Sequence, residues 1–397
     1  MPCFRQQADK KDRKNNMKIA MIGHKVIPSQ RGGIENVLTS LCPLLAELGA
    51  EITVYNRSSD KIEDNYLHEV RNGFYKGVRL KTAPTIKLRG ISAMIASYTA
   101  ALRASFSNAD IVHFHAEGPC AALWIPKLFG KKCVATVHGL DWQREKWKRG
   151  PASKYIKTGE KVMAKYADKI IVLSESARTY FKDTYKRDTV LIPNGIDRPK
   201  HTAADKITKL FGLKKDEYIC VVSRLTPEKG IHYLIDAQNS VKPDKKLVIA
   251  GDTGDSDSAD SYTALLRKKA KDNPNIIFTG FISGDVLREI YSNTYAVCLP
   301  SDIEGMSLSL LEALAYGNVL LCSDIPENTS VAKNHALYFK KSDTNDLAKK
   351  LKLLCSDSDF AKKLKKGADD FILSKYSRKD VALSHFKLYK SILDSRK

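Results

Sequence analysis

Short apolar runs alternate with longer amphipathic stretches along the first half of the chain. Residues 18–23 and 132–137 are almost continuously apolar, which is typical of parallel strands buried on both faces. The stretches 33–48 and 91–106 have the length and composition of helices. Strands that alternate with helices in this way predict a doubly wound α/β domain with a parallel sheet.

The same pattern begins again after a turn signal at Pro193-Asn194-Gly195. Apolar runs in the second half predict strands at 218–222, 246–250, 276–278, 296–299 and 319–322. The sequence therefore predicts two Rossmann-like domains, one after the other. The expected divisions are a basic, disordered extension over 1–16, an N-terminal domain over 17–198, a C-terminal domain over 199–375 and a last helix over 376–397.

The composition is globular and strongly basic. Hydrophobic residues make up 43% of the 397 residues, and the formal net charge is +21. Such a charge attracts polyanions. The Lys and Arg residues are spread along the chain, so an anionic membrane surface is a better expected partner than nucleic acid. Eight scattered cysteines without C-x-x-C spacing, together with the lack of a signal-like or membrane-spanning apolar segment, favour reduced thiols and the cytoplasm.

Glycines follow the first predicted strand in the segment Arg31-Gly32-Gly33-Ile34-Glu35. They allow the backbone to approach a ligand closely, and the N-terminus of the following helix favours an anion. The segment lacks the G-x-G-x-x-G spacing, which disfavours a dinucleotide. Gly32 and Gly33 are therefore candidates for binding phosphate groups, and a plain turn that begins a helix is the alternative.

Two cations follow the first predicted strand of the second domain. Arg224 and Lys229 flank a turn that Pro227 opens. Loops at the carboxyl ends of parallel strands are where α/β sheets bind ligands. An Arg fork and a Lys point charge suit a diphosphate. The alternative is a solvated basic loop.

Two glutamates separated by seven residues follow the predicted strand at 296–299. Glu304 lies in the loop, and Glu312 lies about one turn into the next helix on an otherwise apolar face. A carboxylate in such surroundings needs a partner, and the two hydroxyls of a ribose provide one. Glu304 would then face the sugar end of the same ligand, beside the loop residues Gly305, Met306, Ser307 and Leu308. The alternative for Glu312 is a core carboxylate paired with a backbone group.

A histidine ends another predicted strand of the first domain. His138 is followed by a glycine, and its place at the carboxyl edge of the sheet favours a functional role over a structural one. Trp142, Arg144 and Trp147 follow in the next loop. They could form a lip for an acceptor molecule, or they could be packing residues with a basic face.

Two further patterns resemble metal-binding motifs, but we do not expect either to bind a metal. His113 and His115 face one side of a strand together, and no third ligand lies near them in the sequence. Asp255 and Asp257 lie in a Ser- and Asp-rich loop that is typical of solvated surface. We therefore expect no metal, although one of the two histidines could contact substrate.

Together these segments resemble glycosyltransferase family 4 over nearly all of residues 17–395. The resemblance depends on Gly32-Gly33-x-Glu35, Pro193-Asn-Gly-Ile-Asp197, Arg224 with Lys229, and Glu304 with Glu312. The stretch 139–147 resembles bacterial members that build cell-surface polysaccharides, including rhamnosyltransferase-like ones. Tyr376-Ser377 is a partial match to the family's C-terminal crossover, where Arg378 replaces the usual Trp.

The resemblance implies a GT-B fold, in which two Rossmann-like domains face a central cleft and a C-terminal helix crosses back. It implies transfer with retention of anomeric configuration and without a metal or other cofactor. In this reading the diphosphate is bound by Arg224 and Lys229, with Gly32 and Gly33 lining the cleft. Glu312 would bind the ribose, and Glu304 and His138 would contact the transferred sugar.

The expected function is transfer of a hexose or deoxyhexose from a nucleoside-diphosphate sugar to a saccharide or lipid-linked saccharide. We expect this in cell-surface polysaccharide synthesis, in the cytoplasm or peripherally on the inner face of the plasma membrane. A nucleotide-sugar epimerase or a phosphorylase on the same scaffold is the enzymatic alternative, although the Trp- and Lys-rich lip suggests an acceptor. A basic polyanion-binding protein leaves the two glutamates unexplained.

Overall fold

The computed structural model describes residues 17–86, 88, 91–140, 142, 150–253 and 257–395, without the side chains of 257–260. The described chain divides into two compact units. The first unit contains 17–142, 150–195 and 378–395, and the second contains 196–377. The sequence placed these divisions after residues 198 and 375.

The first unit contains a sheet in the order β3-β4-β5-β2-β1-β6-β7-β8-β9. Its strands are β1 Lys18–Ile22, β2 Glu51–Arg57, β3 Val70–Arg71, β4 Phe74–Tyr75, β5 Val78–Ala83, β6 Ile111–His115, β7 Lys132–Val137, β8 Lys169–Val172 and β9 Val190–Leu191. The strands from β5 to β9 in this order pair in parallel. The predicted doubly wound sheet is thus confirmed.

One edge of this sheet departs from the prediction. β3, β4 and β5 form an antiparallel meander. Asn72 and Gly73 have φ values of 49° and 75° in the first of its two-residue turns, and Lys76 and Gly77 have 44° and 82° in the second. Both residues of a type I′ turn need positive φ, so the Asn-Gly dipeptide was a hairpin signal that the sequence interpretation missed.

Helices cover both faces of the first sheet. They are α1 Gly33–Glu47, α2 Asp64–Leu67, α3 Ser92–Ser105, α4 Trp124–Leu128, α5 Pro151–Tyr166 and α6 Glu175–Tyr185. Alternate residues of each strand enter opposite cores, because successive side chains point to opposite faces. Ile19 and Met21 pack with α1, whereas Ala20 and Ile22 pack in the core that includes α3 and α5.

The second unit contains a fully parallel sheet in the order β12-β11-β10-β13-β14-β15. Its strands are β10 Tyr218–Val222, β11 Lys246–Ala250, β12 Ile276–Gly280, β13 Ala296–Leu299, β14 Val319–Ser323 and β15 Leu337–Phe339. The predicted cores of these strands are confirmed, and the short last strand also forms.

The helices of the second unit alternate with its strands. They are α7 Lys206–Phe211, α8 Ile231–Val241, α9 Asp257–Ala270, α10 Gly284–Asn293, α11 Leu308–Ala315, α12 Pro326–Ala332, α13 Thr344–Ser356, α14 Ser358–Lys365 and α15 Ala368–Lys375. Residues 344–365 form the two helices α13 and α14. The structure divides this stretch at Asp357, whose side chain caps α14 by accepting from the Phe360 N–H.

A last helix, α16 Arg378–Asp394, returns to the first unit. Val381, Ala382, Tyr389 and Ile392 join the core beneath α1. The C-terminal helix that the resemblance implied therefore crosses back as expected. Within the described ranges, none of the helices combines the length and apolar character needed to span a bilayer.

Candidate active site

The candidate site of the second unit lies where its strand order reverses. β10 pairs with β11 on one side and with β13 on the other. Loops that leave the carboxyl ends of two such strands run in opposite directions and leave a crevice in which open α/β sheets bind ligands. The loop after β10 carries Arg224 and Lys229, and the loop after β13 carries Glu304. The fold therefore brings the predicted cations and the first predicted glutamate to one edge.

Backbone contacts hold these two loops together. The Asp302 N–H donates to the Glu228 carbonyl at 2.9 Å, and the Ser309 hydroxyl donates to the Val222 carbonyl at 2.6 Å. Gly230 has a φ of +64°, and a Cβ on it would collide with the Pro300 carbonyl oxygen. Only glycine combines that conformation with that close approach.

Lys229 and Glu304 form an ion pair. The Lys229 Nζ donates to the Glu304 Oε1 at 2.6 Å, and the two side chains are only 16% and 9% exposed. This shielding makes the pair stronger than an ordinary surface ion pair. The predicted diphosphate cation and the predicted sugar-facing carboxylate are thus direct partners, which the sequence interpretation did not foresee.

The helix α11 begins beside this ion pair. Ser307 caps it by accepting a hydrogen bond from the Leu310 N–H at 3.3 Å. Met306 is buried, whereas Gly305, Ser307 and Leu308 are partly exposed. The helix start therefore matches the predicted position, and the dipole of α11 places partial positive charge next to the loop.

Glu312 lies on α11 and is partly exposed. Two tyrosine rings, Tyr291 and Tyr316, stack at 5.3 Å near it. Burial, and next the negative charge of Glu312, raise the pKa of Tyr316 to about 12, and the same causes raise the pKa of Tyr291 well above its ordinary value. The carboxylate therefore lies in apolar, aromatic surroundings, as its position in the sequence predicted.

Arg224 is exposed in the loop after β10. A cavity of about 230 Å³ adjoins the opposite loop. It is lined by Asp302, Ile303, Glu304, Asp324, Ile325, Pro326, Glu327 and Lys341. Four of the eight lining residues are acidic and one is a lysine, so the cavity beside this loop has a mainly acidic lining.

In the first unit, the strand order reverses between β1 and β6. The loop after β1 ends at Gly32, which precedes α1. A Cβ on Gly32 would collide with the Glu35 carboxylate, which accepts a hydrogen bond from the Lys25 N–H at 2.8 Å. Among the described residues outside the local backbone, no atom lies within 4 Å of such a Cβ on Gly33. Gly32 thus makes room for a side chain of this chain, whereas Gly33 leaves open space.

Histidines line the carboxyl edge at β6 and β7. The His115 Nδ1 and the His138 Nε2 are hydrogen-bonded at 3.0 Å. His113 has a partner at each nitrogen, the Tyr389 hydroxyl at 2.7 Å and the Thr136 hydroxyl at 2.7 Å. Hydroxyl partners at both nitrogens of His113 support the prediction that the His113–His115 pair is not a metal site.

Trp142 lies over Tyr180, with 6.0 Å between the ring centroids, and the Lys157 ammonium lies 5.1 Å from its ring. Its indole nitrogen is buried and lacks a hydrogen-bond partner among the described residues. These contacts are typical of a packing residue. The other predicted lip residues, Arg144 and Trp147, lie outside the described residues, as does Asp255.

Family comparisons agree with this arrangement. The profile described as "Glycosyltransferase Family 4" matches residues 31–199, and the profile described as "Glycosyl transferases group 1" matches residues 204–371. The two matches cover the two units in the expected order. The chain belongs to glycosyltransferase family 4. It is therefore a glycosyltransferase that transfers a sugar from a nucleotide sugar, as the sequence predicted.

One curated relative and two solved structures illustrate this membership. The UDP-Gal:alpha-D-GlcNAc-diphosphoundecaprenol alpha-1,3-galactosyltransferase of Escherichia coli is 28% identical over 334 residues, which cover 79% of this glycosyltransferase and 81% of the relative. Sucrose-phosphate synthase from Thermosynechococcus elongatus superposes with a TM-score of 0.81 at 20% identity, covering 96% and 100% of the two chains. HepE of Anabaena in complex with UDP-glucose gives 0.77 at 16% identity, covering 96% and 100%.

These solved structures share the GT-B fold with this family 4 glycosyltransferase, which confirms the predicted fold class. The sequence interpretation missed two site features, the Lys229–Glu304 ion pair and the bond of His115 to His138. The second had a signal, because His115 ends β6 and His138 directly follows β7. β6 and β7 are neighbours in the sheet, so residues at their carboxyl ends meet.

Proposed function

We propose that this glycosyltransferase moves a hexose or deoxyhexose from a nucleoside-diphosphate sugar to a saccharide or lipid-linked saccharide, with retention of configuration and without a metal. The observation that carries the proposal is the shielded Lys229–Glu304 pair at the reversal of strand order in the second unit. A cation and a carboxylate at that edge suit the two ends of a sugar diphosphate.

The proposed roles follow from the chemistry of the leaving group. A departing nucleoside diphosphate gains negative charge in the transition state, and fixed cations and helix dipoles stabilise such charge. Arg224 and Lys229 bind the diphosphate next to the start of α11. Glu312 accepts hydrogen bonds from the ribose hydroxyls, and Glu304 contacts the transferred sugar.

For the first unit, we propose that His138 contacts the transferred sugar and that Gly32 and Gly33 lie near the donor. Gly33 supports this role better than Gly32 does, because Gly32 already accommodates the Glu35 carboxylate. The E. coli relative takes its sugar from UDP-Gal, and HepE was crystallised with UDP-glucose. A UDP-hexose is therefore the first donor to test.

A thermal-shift screen with UDP-, GDP-, dTDP- and ADP-sugars tests the donor proposal. A ligand that binds only the folded state raises the melting temperature by mass action. Arg224→Ala and Lys229→Ala should abolish the shift, and His138→Ala should keep most of it. Lys271→Ala, on an exposed turn of the same unit, is the matched control. A Lys229→Ala variant that keeps the full shift would contradict the proposed diphosphate site.

We also propose that the protein acts at an anionic membrane surface, where a lipid-linked acceptor would be found. The apolar side chains of α3 and α4 form an exposed patch, here called the α3–α4 patch. Its members are Leu102, Phe106, Trp124, Leu128 and Phe129, which are 47%, 71%, 41%, 74% and 48% exposed. An exposed apolar group of this kind marks an interaction surface.

Charge and aromatic contacts favour a membrane as the partner of the α3–α4 patch. The rings of Phe106 and Phe129 meet at 4.7 Å. Arg103 and Lys127 lie on the same helices, and the Lys131 ammonium bonds to the Ser107 carbonyl at the end of α3. Aromatic and aliphatic side chains among basic residues suit the headgroup region of an anionic leaflet.

Flotation with vesicles tests whether the α3–α4 patch binds an anionic membrane. The protein should float with phosphatidylglycerol-rich vesicles at low salt and remain in solution with pure phosphatidylcholine. Phe106→Ser with Leu128→Ser should reduce flotation. Leu210→Ser, at a position 62% exposed in the second unit, should not. Equal flotation of the wild type and the double variant would contradict the assignment of the patch.

A further inference from the structure

His115 makes a single side-chain hydrogen bond within the described chain. Its Nδ1 lies 3.0 Å from the Nε2 of His138, and its own Nε2 is buried without a hydrogen-bond partner among the described residues. The residue is 1% exposed. Burial, and next the charge of His113, hold the pKa of His115 well below its ordinary value, so the ring is neutral and carries one proton.

The location of that proton follows from the contacts. Either tautomer leaves the buried Nε2 of His115 without a partner among the described residues, and an orphaned N–H donor is rarer in folded proteins than an orphaned acceptor. A proton on Nδ1 instead donates to the Nε2 of His138. His138 then accepts at Nε2 and keeps its own proton on Nδ1.

The ring of His115 is held in place from behind. The His113 ring lies 4.2 Å from it, centroid to centroid. His113 is itself fixed at both nitrogens, by Thr136 on β7 and by Tyr389 on α16. The imidazole of His115 therefore has little freedom to rotate away from His138.

We propose that His115 is a positioning residue that fixes His138 as the Nδ1–H tautomer and sets its ring orientation. His138 thus acts as a hydrogen-bond donor through Nδ1, and its Nε2 does not serve as a general base. The catalytic consequence rests on the proposed function, because it assumes that His138 contacts the transferred sugar. The tautomer itself does not depend on that assumption.

Nitrogen-15 correlation spectra of the histidine rings test the tautomer without any substrate. The His138 signals are those that disappear in His138→Gln. In the wild type they should have the pattern of a neutral Nδ1–H ring. A neutral Nε2–H pattern for His138 would overturn the proposal.

Two variants of nearly equal shape separate positioning from packing. Asn at position 115 can place an amide N–H where the Nδ1–H was, whereas Leu fills the same space without a donor. His115→Asn should keep the His138 tautomer and donor turnover within about threefold of the wild type. His115→Leu should change the tautomer and lower kcat about 10–100-fold, the range typical of lost partners that orient a functional histidine. Its affinity for the nucleoside diphosphate should remain, because the proposed diphosphate site belongs to the second unit.

The kinetic comparison uses the nucleotide sugar that gives the largest thermal shift in the screen described above. Equal loss of kcat in His115→Asn and His115→Leu would overturn the proposal, since it would indicate a packing role. Wild-type kcat in His115→Leu would also overturn it. If His138→Ala itself leaves kcat unchanged, the proposed role of His138 fails, and the wild-type spectrum still decides the tautomer.

Discussion

At the scale of single residues, the Lys229 ammonium has two competing partners. They are the Glu304 carboxylate and the diphosphate that we propose it binds. The Glu304 carboxylate is 2.6 Å from the ammonium that we assign to the diphosphate. A diphosphate must therefore displace or share this contact. If the proposed roles hold, Glu304 should weaken diphosphate binding while it places a carboxylate at the sugar end, as expected of a group that acts in the transition state rather than in binding.

Glu304→Gln should consequently bind UDP more tightly and transfer sugar more slowly. Removal of the competing charge should improve the Kd about 3–10-fold, equivalent to about 1 kcal/mol for a partly shielded ion pair. Titration calorimetry with UDP measures the gain, and donor turnover measures the loss. Glu228→Gln removes a negative charge beside Lys229 in the loop after β10 but leaves the Lys229–Glu304 pair intact, so its Kd should not change. Weaker UDP binding by Glu304→Gln would contradict the competition.

Glu312 provides a second test at the residue scale. If its carboxylate binds the ribose hydroxyls, the wild type should bind UDP about 10-fold or more tighter than 2′-deoxy-UDP, because a hydrogen bond to a charged group is worth about 1.5–3 kcal/mol. Glu312→Ala should bind both nucleotides equally and weakly. A full preference for UDP in Glu312→Ala, measured by the same titration, would place the ribose elsewhere.

At the scale of elements, the second-unit site depends on the close approach of two loops at Gly230. Gly230 and Gly212 have nearly the same left-handed φ, +64° and +61°. A Cβ would collide with the Pro300 carbonyl at Gly230, whereas at Gly212 it would meet no atom within 4 Å among the described residues outside the local backbone. Alanine substitutions at these two glycines therefore distinguish the cost of backbone strain from the cost of disturbing the loop contact.

Gly212→Ala should cost only about 1 kcal/mol, the usual penalty of a left-handed non-glycine residue. Gly230→Ala carries the same strain and must also move the loop after β13. We expect a clearly larger loss of stability in chemical denaturation and a loss of the nucleotide-induced thermal shift. Equal stability of the two variants would mean that the loops can separate without cost.

Most elements of this fold could be predicted from the sequence because its parallel strands are continuous apolar runs. β10, β11 and β13 were predicted with their observed ends, since burial on both faces leaves little ambiguity. The β3–β4 hairpin was missed because its strands have two residues each and give no periodic pattern. The local signal lay in the turn dipeptides Asn72-Gly73 and Lys76-Gly77, whose residues adopt positive φ.

The candidate site was predictable to the extent that it depends on strand ends. Lys229 and Glu304 each follow a strand, so topology brings them to one edge. Their ion pair was not predictable, because it depends on the path of each loop and on the directions of the two side chains. A linear sequence specifies neither.

At the scale of the whole molecule, buried neutral histidines are concentrated in the first unit. His24, His113, His115 and His385 all belong to it, and each is at most 4% exposed. Burial is the first cause of every shift: it lowers the pKa of His24 and of His385 to about 4, and it holds those of His113 and His115 well below the ordinary value of 6.5. Each of these rings must remain uncharged in the folded unit.

This distribution predicts that mild acid destabilises the first unit. Between about pH 6.5 and 4 the unfolded chain binds protons that the folded unit excludes, so the free energy of unfolding falls as pH falls. Each such histidine contributes a fall of up to about 1.4 kcal/mol per pH unit in this window, and its contribution does not change above about pH 6.5. All three tryptophans, at 124, 142 and 147, precede residue 196, so their fluorescence during urea denaturation reports on this unit.

His24→Gln removes the contribution of one histidine to the pH dependence of stability. Glutamine can still donate to the Asn56 side-chain oxygen, which His24 contacts at 2.9 Å, but it does not titrate. Its denaturation free energy should therefore fall less steeply between pH 6.5 and 4, whereas His68→Gln at an exposed position should match the wild type. The fall in the free energy of unfolding at low pH should persist in salt on the order of 0.5 M, because desolvation rather than charge repulsion is its cause. Salt at this concentration screens the repulsion within a chain of net charge +21. An equal slope in His24→Gln and the wild type would mean that this ring is solvated, and protonated, in the folded unit.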